Sequence, residues 1–172
     1  MKGATNTVIK CLLVLHSFHH KNTEKIAKAF AEVLAAEIRS PREIDAEEVE
    51  GYDLIGFGSG IYSDSHHRFL LDLADRLPQV SGKTAFLFST SGAPAIALEG
   101  GELDDYIEKA HSPLRERLQA KGYVIVGEFM CPGWNTNTFL KAFGGINKGR
   151  PNAEDLEKAK EFARRLSEQA LA

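Results

Sequence analysis

Val8–Ala27 reads V-I-K-C-L-L-V-L-H-S-F-H-H-K-N-T-E-K-I-A, and its character changes twice in quick succession. Val8–Leu15 is almost continuously apolar, the pattern of a strand buried on both faces in a parallel sheet. From Ile26 the apolar residues recur at helical spacing, through Phe30, Val33 and Leu34, with lysines and glutamates between them. This spacing predicts a helix to about Glu37, capped by Asn22 or Thr23. The polar stretch between them is therefore a strand-to-helix turn, and it carries hydroxyls, an amide, three histidines and a lysine. Such a set suits either a metal or an anion.

Working outward, the same alternation repeats. Ala36–Ser40 is a weak strand candidate, and Pro41–Gly51 is acidic and polar, with at most one helical turn before Tyr52. Tyr52–Gly58 resumes the buried-strand pattern. Asp64 then reads as the cap of a helix carrying Phe69, Leu70, Leu73 and Leu77, which Pro78 ends. Lys83–Phe88 is a further short strand, followed by a loop over Ser89–Pro94. Leu103–Ala110 reads as one helix and Ser112-Pro113 as the start of another, closed by Gly122. Tyr123–Met130 is the last strand, Cys131–Gly149 is irregular, and Asn152 caps a final helix with Leu156, Phe162 and Leu166 inward. Strands alternating with helices predict an α/β fold, a parallel sheet covered on both faces, with ligands at the carboxyl ends of the strands.

At 172 residues the chain is most simply one domain, residues 1–172, long enough to bury a core without staples. A formal charge of −3, with 26% charged residues, leaves no basic footprint for nucleic acid. No apolar run approaches membrane-spanning length, and residues 1–10 lack the pattern of a secretory leader. Two cysteines, Cys11 and Cys131, read as free thiols, and a reducing cytoplasm is the expected compartment.

Three loops are candidates for chemistry. In Ser17–Thr23, a helix dipole contributes only about 0.3–1 kcal/mol to an anion, whereas each hydrogen bond to a charged acceptor contributes about 1.5–3 kcal/mol. Backbone N–H groups with Ser17, Asn22 and Thr23 would thus dominate phosphate binding, although the same residues also suit plain helix capping. His16, His19, His20, His66 and His67 invite a metal, but adjacent histidines point apart and no H-E-x-x-H spacing supports them. They line a site rather than hold an ion. The second loop, Ser59–His67, follows the glycines of G-F-G and offers Tyr62 for stacking on a flat ring, or merely for packing at the surface. The third, Ser89–Pro94, offers hydroxyls and N–H groups around Gly92, or an ordinary turn. Trp134, after the last strand, suits either a flat ligand or a cover for the core.

S-F-H-H-K-N-T-E-K-I-A after the first strand, G-S-G-I-Y-S after the third, S-T-S-G-A-P after the fourth and the tail F-G-G-I-N-K-G-R-P-N together resemble the flavodoxin family, over nearly the whole chain. The resemblance implies a three-layer sandwich with a five-stranded parallel sheet of order 2-1-3-4-5, an order taken from the family. It also implies FMN as cofactor and electron transfer between redox partner proteins as function. By that pattern Ser17, His19, His20, Lys21, Asn22 and Thr23 belong to the phosphate loop. Ser59, Gly60, Ile61, Tyr62 and Ser63, with Ser89, Thr90, Ser91 and Gly92, flank the isoalloxazine ring. A peptide at Ser59-Gly60 or Gly60-Ile61 would turn its carbonyl to the flavin, with Gly60 lowering the cost. Lys21 stands where the family has glycine before the asparagine; in a left-handed conformation it would cost roughly 1–2 kcal/mol.

The alternative is an NAD(P)H-dependent flavin or quinone reductase of the same fold, with Ala93–Ala110 as a lid. A receiver domain is disfavoured because Asp53 lies at the wrong end of its strand. A hydrolase lacks the G-x-S-x-G elbow, and a phosphatase lacks C-x-x-x-x-x-R.

Overall fold

The computed structural model describes residues 9–98 and 101–171. Its strands are β1 (Cys11–His16), β2 (Glu37–Arg39), β3 (Leu54–Tyr62), β4 (Ser65–His66), β5 (Lys83–Ser91) and β6 (Tyr123–Pro132). All but β4 run parallel, in the order β2-β1-β3-β5-β6, while β4 folds back antiparallel on the end of β3. With that hairpin set aside, the parallel strands follow the 2-1-3-4-5 order. The helices are α1 (Asn22–Leu34), α2 (Arg68–Arg76), α3 (Gly101–Ala120) and α4 (Ala153–Leu171).

Side chains alternate across each strand, and this splits the core into two layers. Leu12, Val14, Ile55, Phe57 and Leu87 pack under α2 and α3, against Leu70, Leu73, Leu114 and Leu118. Cys11, Leu13, Leu54, Phe86 and Phe88 pack under α1 and α4, against Ile26, Phe30, Phe162 and Leu166. The glycines of β3 serve this second layer: a Cβ on Gly56 would lie 2.4 Å from the Phe86 ring, and one on Gly58 2.2 Å from Phe88. They are absences of side chain that admit two phenylalanines.

Several boundaries differ from the sequence reading, each for a local reason. Val8 and the rest of residues 1–8 lie outside the described residues, and β1 begins at Cys11. The first helix stops at Leu34, short of Glu37, because Ala35 turns left-handed at φ 49°; β2 follows where a weak strand was expected. Asp64 caps no helix. Ser63 and Asp64, at φ 48° and 58°, form the two-residue turn of the β3–β4 hairpin, a conformation usually given to Asn-Gly. The cap of α2 is His67, whose Nδ1 accepts from the Phe69 N–H at 3.2 Å. Ser112-Pro113 starts no helix either. Pro113 cannot donate to the carbonyl of Lys109, and the Ser112 hydroxyl donates there instead at 3.1 Å, so α3 runs through unbroken. Strands β3 and β5 extend past Gly58 and Phe88, and β6 takes in Cys131 and Pro132. A 3-10 turn, Thr138–Phe143, interrupts the stretch that reads as irregular. Asn152 does cap α4: its side-chain oxygen accepts from the Asp155 N–H at 3.0 Å, and Asp155 returns the contact at 2.8 Å.

Candidate functional site

A cleft opens at the carboxyl ends of β1, β3, β5 and β6, where the topology brings their following segments together. Ser17, His19, Asn22 and Thr23 line it from the first turn, Gly60, Ile61 and Tyr62 from the end of β3, and Thr90, Ser91 and Gly92 from the end of β5. The floor is tied across the sheet by a buried hydroxyl pair, Thr23 Oγ1 to Thr90 Oγ1 at 2.9 Å. Ser17 Oγ accepts from the Glu24 N–H at 3.2 Å, fixing the turn to the helix it opens. The enclosed part of the cleft measures only about 80 Å³, well below the ~300 Å³ of a closed small-molecule pocket, so it is a slot open along one side.

Five residues named from the sequence do not face this slot. His20 points outward, stacked on Trp134 at 4.0 Å between ring centres and hydrogen-bonded to Thr136 at 2.7 Å. Lys21 extends into solvent beside Glu24, 3.6 Å away. Ser59 is fully buried: its hydroxyl donates to the Gly60 carbonyl at 2.7 Å and accepts from the His67 N–H at 2.9 Å. The Gly60 carbonyl thus already has a partner, and Gly60 lies in extended strand paired with Thr90, so glycine is not needed there for a turn. A Cβ there would come within 3.2 Å of the Tyr62 ring, which would have to give by a few tenths of an ångström. Ser63 sits at the hairpin turn. Ser89 is also fully buried, and its hydroxyl meets His111 Nε2 at 2.7 Å.

That last contact belongs to a chain of buried polar groups under the cleft. His111 Nδ1 lies 2.9 Å from Glu128, which also accepts from Arg115 Nε at 2.6 Å. Burial lowers the pKa of His111, so the neutral ring donates from Nδ1 to Glu128 and accepts from Ser89 at Nε2. Burial opposes ionisation of Glu128, but hydrogen bonds from His111 and Arg115 outweigh it and bring its pKa down to about 2. His66, whose ring is 4.5 Å from His111, is held neutral by burial and by that neighbour.

The far wall came from a segment that the sequence left as irregular loop. Gly133, Trp134, Asn135 and Asn137 line the cleft, and so does Phe18. Asn22 reaches across to donate to the Trp134 carbonyl at 2.9 Å. Asn135 and Ile146 exchange backbone hydrogen bonds, and Trp134 Nε1 donates to the Gly144 carbonyl at 3.1 Å. Asn147, left-handed at φ 56°, donates to the carbonyls of Ala93 and Gly133 and accepts from the Ala95 N–H. It joins the loops after β5 and β6. The asparagines of N-T-N and G-G-I-N were the signal for this wall, since asparagine tolerates left-handed backbone and bonds to main chain. Among the described residues no group of three or more His, Cys, Asp or Glu side chains is placed to hold a metal ion.

A flavodoxin domain model matches residues 13–129, which reach all five parallel strands and take in α1, α2 and α3. The chain belongs to the flavodoxin family. An uncharacterized protein of Methanocaldococcus jannaschii is 43% identical over 158 residues, covering 92% of this chain and 98% of that one. Among solved structures, flavodoxin 2 of Bacillus cereus superposes with a TM-score of 0.67 at 22% identity, covering 93% of this chain and 99% of its own. An archaeal flavodoxin gives 0.63 at 18%, over 95% and 100%. General stress protein 14 of Treponema denticola, solved in complex with FMN, gives 0.56 at 11%, over 94% and 97%. At these identities the structures speak for the flavodoxin fold alone. Against the family pattern, this chain's first turn has a particular cost: His20 and Lys21 are both left-handed, at φ 50° and 52°, with no glycine at either position.

Proposed function

We propose that this flavodoxin-family chain binds FMN in the cleft and passes electrons between redox partner proteins in a reducing cytoplasm. The observation that carries the reading is the buried Asn22 Oδ1, an acceptor in the cleft wall with no partner among the described residues. A buried acceptor left unpaired costs about 1–3 kcal/mol, and a hydroxylated chain supplies the missing O–H. FMN joins such a chain to a phosphate at one end and a flat ring at the other.

The residues fit each part. In the first turn of α1 the Asn22 N–H bonds the His19 carbonyl and the Glu24 N–H the Ser17 hydroxyl, but the preceding residues His19, His20 and Lys21 are basic, which is unfavourable at a helix N-terminus unless an anion is bound there. Tyr62 offers its ring as a wall for the flavin, with Thr90, Ser91 and Gly92 supplying polar contacts opposite. When bound, the flavin supplies one- and two-electron chemistry, while the protein orients it and limits water. The open side of the slot would leave an edge of a bound ring in solvent. Exposed Phe18, Ile96, Phe139 and Phe143 stand on segments that follow β1, β5 and β6, and they offer apolar contacts to a partner.

Titration of the apoprotein with FMN and with riboflavin tests this. FMN fluorescence should be quenched at micromolar concentrations, with riboflavin, which lacks the phosphate, binding at least tenfold more weakly. Unquenched FMN at high micromolar excess would remove the reading. A second reading, an NAD(P)H-dependent flavin or quinone reductase of the same fold, is favoured by one observation: Phe18, His19 and Tyr62 also line a larger hollow beside the cleft. Steady NAD(P)H oxidation with a quinone would select it.

A further inference from the structure

Behind the Tyr62 wall lies an open hollow of about 720 Å³, within the ~300–1,000 Å³ range of small-molecule sites and far larger than the enclosed cleft. It forms because the β3–β4 hairpin stands away from the end of β1, and the start of α2 closes the gap between them. Its walls are flat. His16 and His67 stack at 3.9 Å, Phe69 meets both rings edge-on at 5.2 and 4.5 Å, and Tyr62 completes the side shared with the cleft.

Its charge is one-sided. Arg42 and Arg68 stand at the hollow, their guanidinium carbons 5.0 and 5.5 Å from the Phe69 ring centre. Among the described residues no carboxylate lines it and neither guanidinium forms an ion pair, in a chain whose formal charge is −3. Burial and then Arg42 lower the pKa of His16; burial, His16 and Arg68 lower that of His67 against a smaller opposing effect of Asp72. The positive field is therefore felt within the hollow itself. At its edge the buried Ser65 hydroxyl has no partner among the described residues.

Flat apolar walls, two uncommitted guanidinium groups and a free hydroxyl donor describe one kind of ligand. We propose that the hollow is a second binding site, for a flat aromatic carboxylate, packed against the ring cluster of His16, His67, Phe69 and Tyr62 with its charge towards Arg42 and Arg68. The Tyr62 ring is then the partition between this ligand and the occupant of the cleft. The site is built from the chain's own side chains and stands whether or not FMN fills the cleft.

The test uses the full chain, with and without FMN, and two probes of equal shape: naphthoate and the uncharged naphthalenemethanol. Histidine ring resonances followed by NMR report the place of binding. Naphthoate should shift His16 and His67 and bind about five- to tenfold more tightly than the alcohol. The double variant R42Q/R68Q changes two exposed residues and keeps the fold; it should remove that preference and leave the alcohol's affinity unchanged. Equal affinity for acid and alcohol would overturn the proposal, as would a preference that survives in the double variant or shifts that spare both His16 and His67. Binding that appears only in the FMN-loaded protein would also overturn it, since the probe would then be stacking on the flavin.

Discussion

Lys21 is the residue where local conformation and side-chain chemistry pull apart. Its backbone is left-handed, which costs a non-glycine residue roughly 1–2 kcal/mol, and its exposed 3.6 Å contact with Glu24 returns a few tenths at most. Lys21→Gly should therefore raise stability by about 0.5–1 kcal/mol after the entropy lost by glycine, and Lys21→Val should lower it by about 1 kcal/mol. Denaturant unfolding checks both; equal effects of Gly and Val would mean that the turn does not hold its left-handed form. Gly58 gives the opposite case, where space and not backbone angle decides. Gly58→Ala places a methyl 2.2 Å from the Phe88 ring and should cost about 1–3 kcal/mol. In the Phe88→Leu background the alanine should cost less than half as much, and strictly additive losses would refute the clash.

At the scale of an element, α3 is held by a substitution of one donor for another. Because Ser112 bonds the carbonyl that Pro113 leaves free, Pro113→Ala should stabilise the helix by about 1–3 kcal/mol and make Ser112→Ala nearly neutral in that background. Unfolding of the two single variants and the double measures it. This also explains why one long helix read as two in the sequence: Ser-Pro is the ordinary start signal, and only the placement of the Ser112 hydroxyl reverses it. The strands and most helices were legible because apolar alternation reports burial directly. The hairpin was not, since Ser63-Asp64 lacks the glycine that marks a two-residue turn. Acid should act on the layer that α3 covers. His66 and His111 are buried neutral, so their contribution to stability is complete above about 6.5 and falls as pH drops below it. Glu128, ionised down to about 2, adds a contribution present above about 4.5 and lost between there and pH 2. Stability measured against pH should fall in these two windows, and His111→Gln should flatten the first.

Across the molecule, the cleft depends on a residue far in sequence from most of its walls. Asn147 holds the loops after β5 and β6 together through bonds to Ala93, Gly133 and Ala95. Asn147→Gly keeps the left-handed backbone and removes all three contacts, so it isolates the clamp. Amide exchange at Ala95 and Gly133 should quicken at least tenfold while α1 and α4 stay protected; uniform change throughout would show that the loops were not held separately. The sequence pointed to the near half of the cleft because Ser17–Thr23 and Gly60–Tyr62 sit beside strand ends that apolar runs reveal. It could not place the far half, because Trp134, Asn135 and Asn137 arrive through pairings with Ile146 and Gly144 that no periodicity records.

The hairpin bearing Tyr62 is braced from behind, with the His66 ring tilted against His111 of α3 and Ser59 tied to His67. That bank of the slot is stiff masonry. Across the slot the 3-10 turn keeps Phe139 and Phe143 in water, so whatever approaches the open side meets bare phenyl rings there.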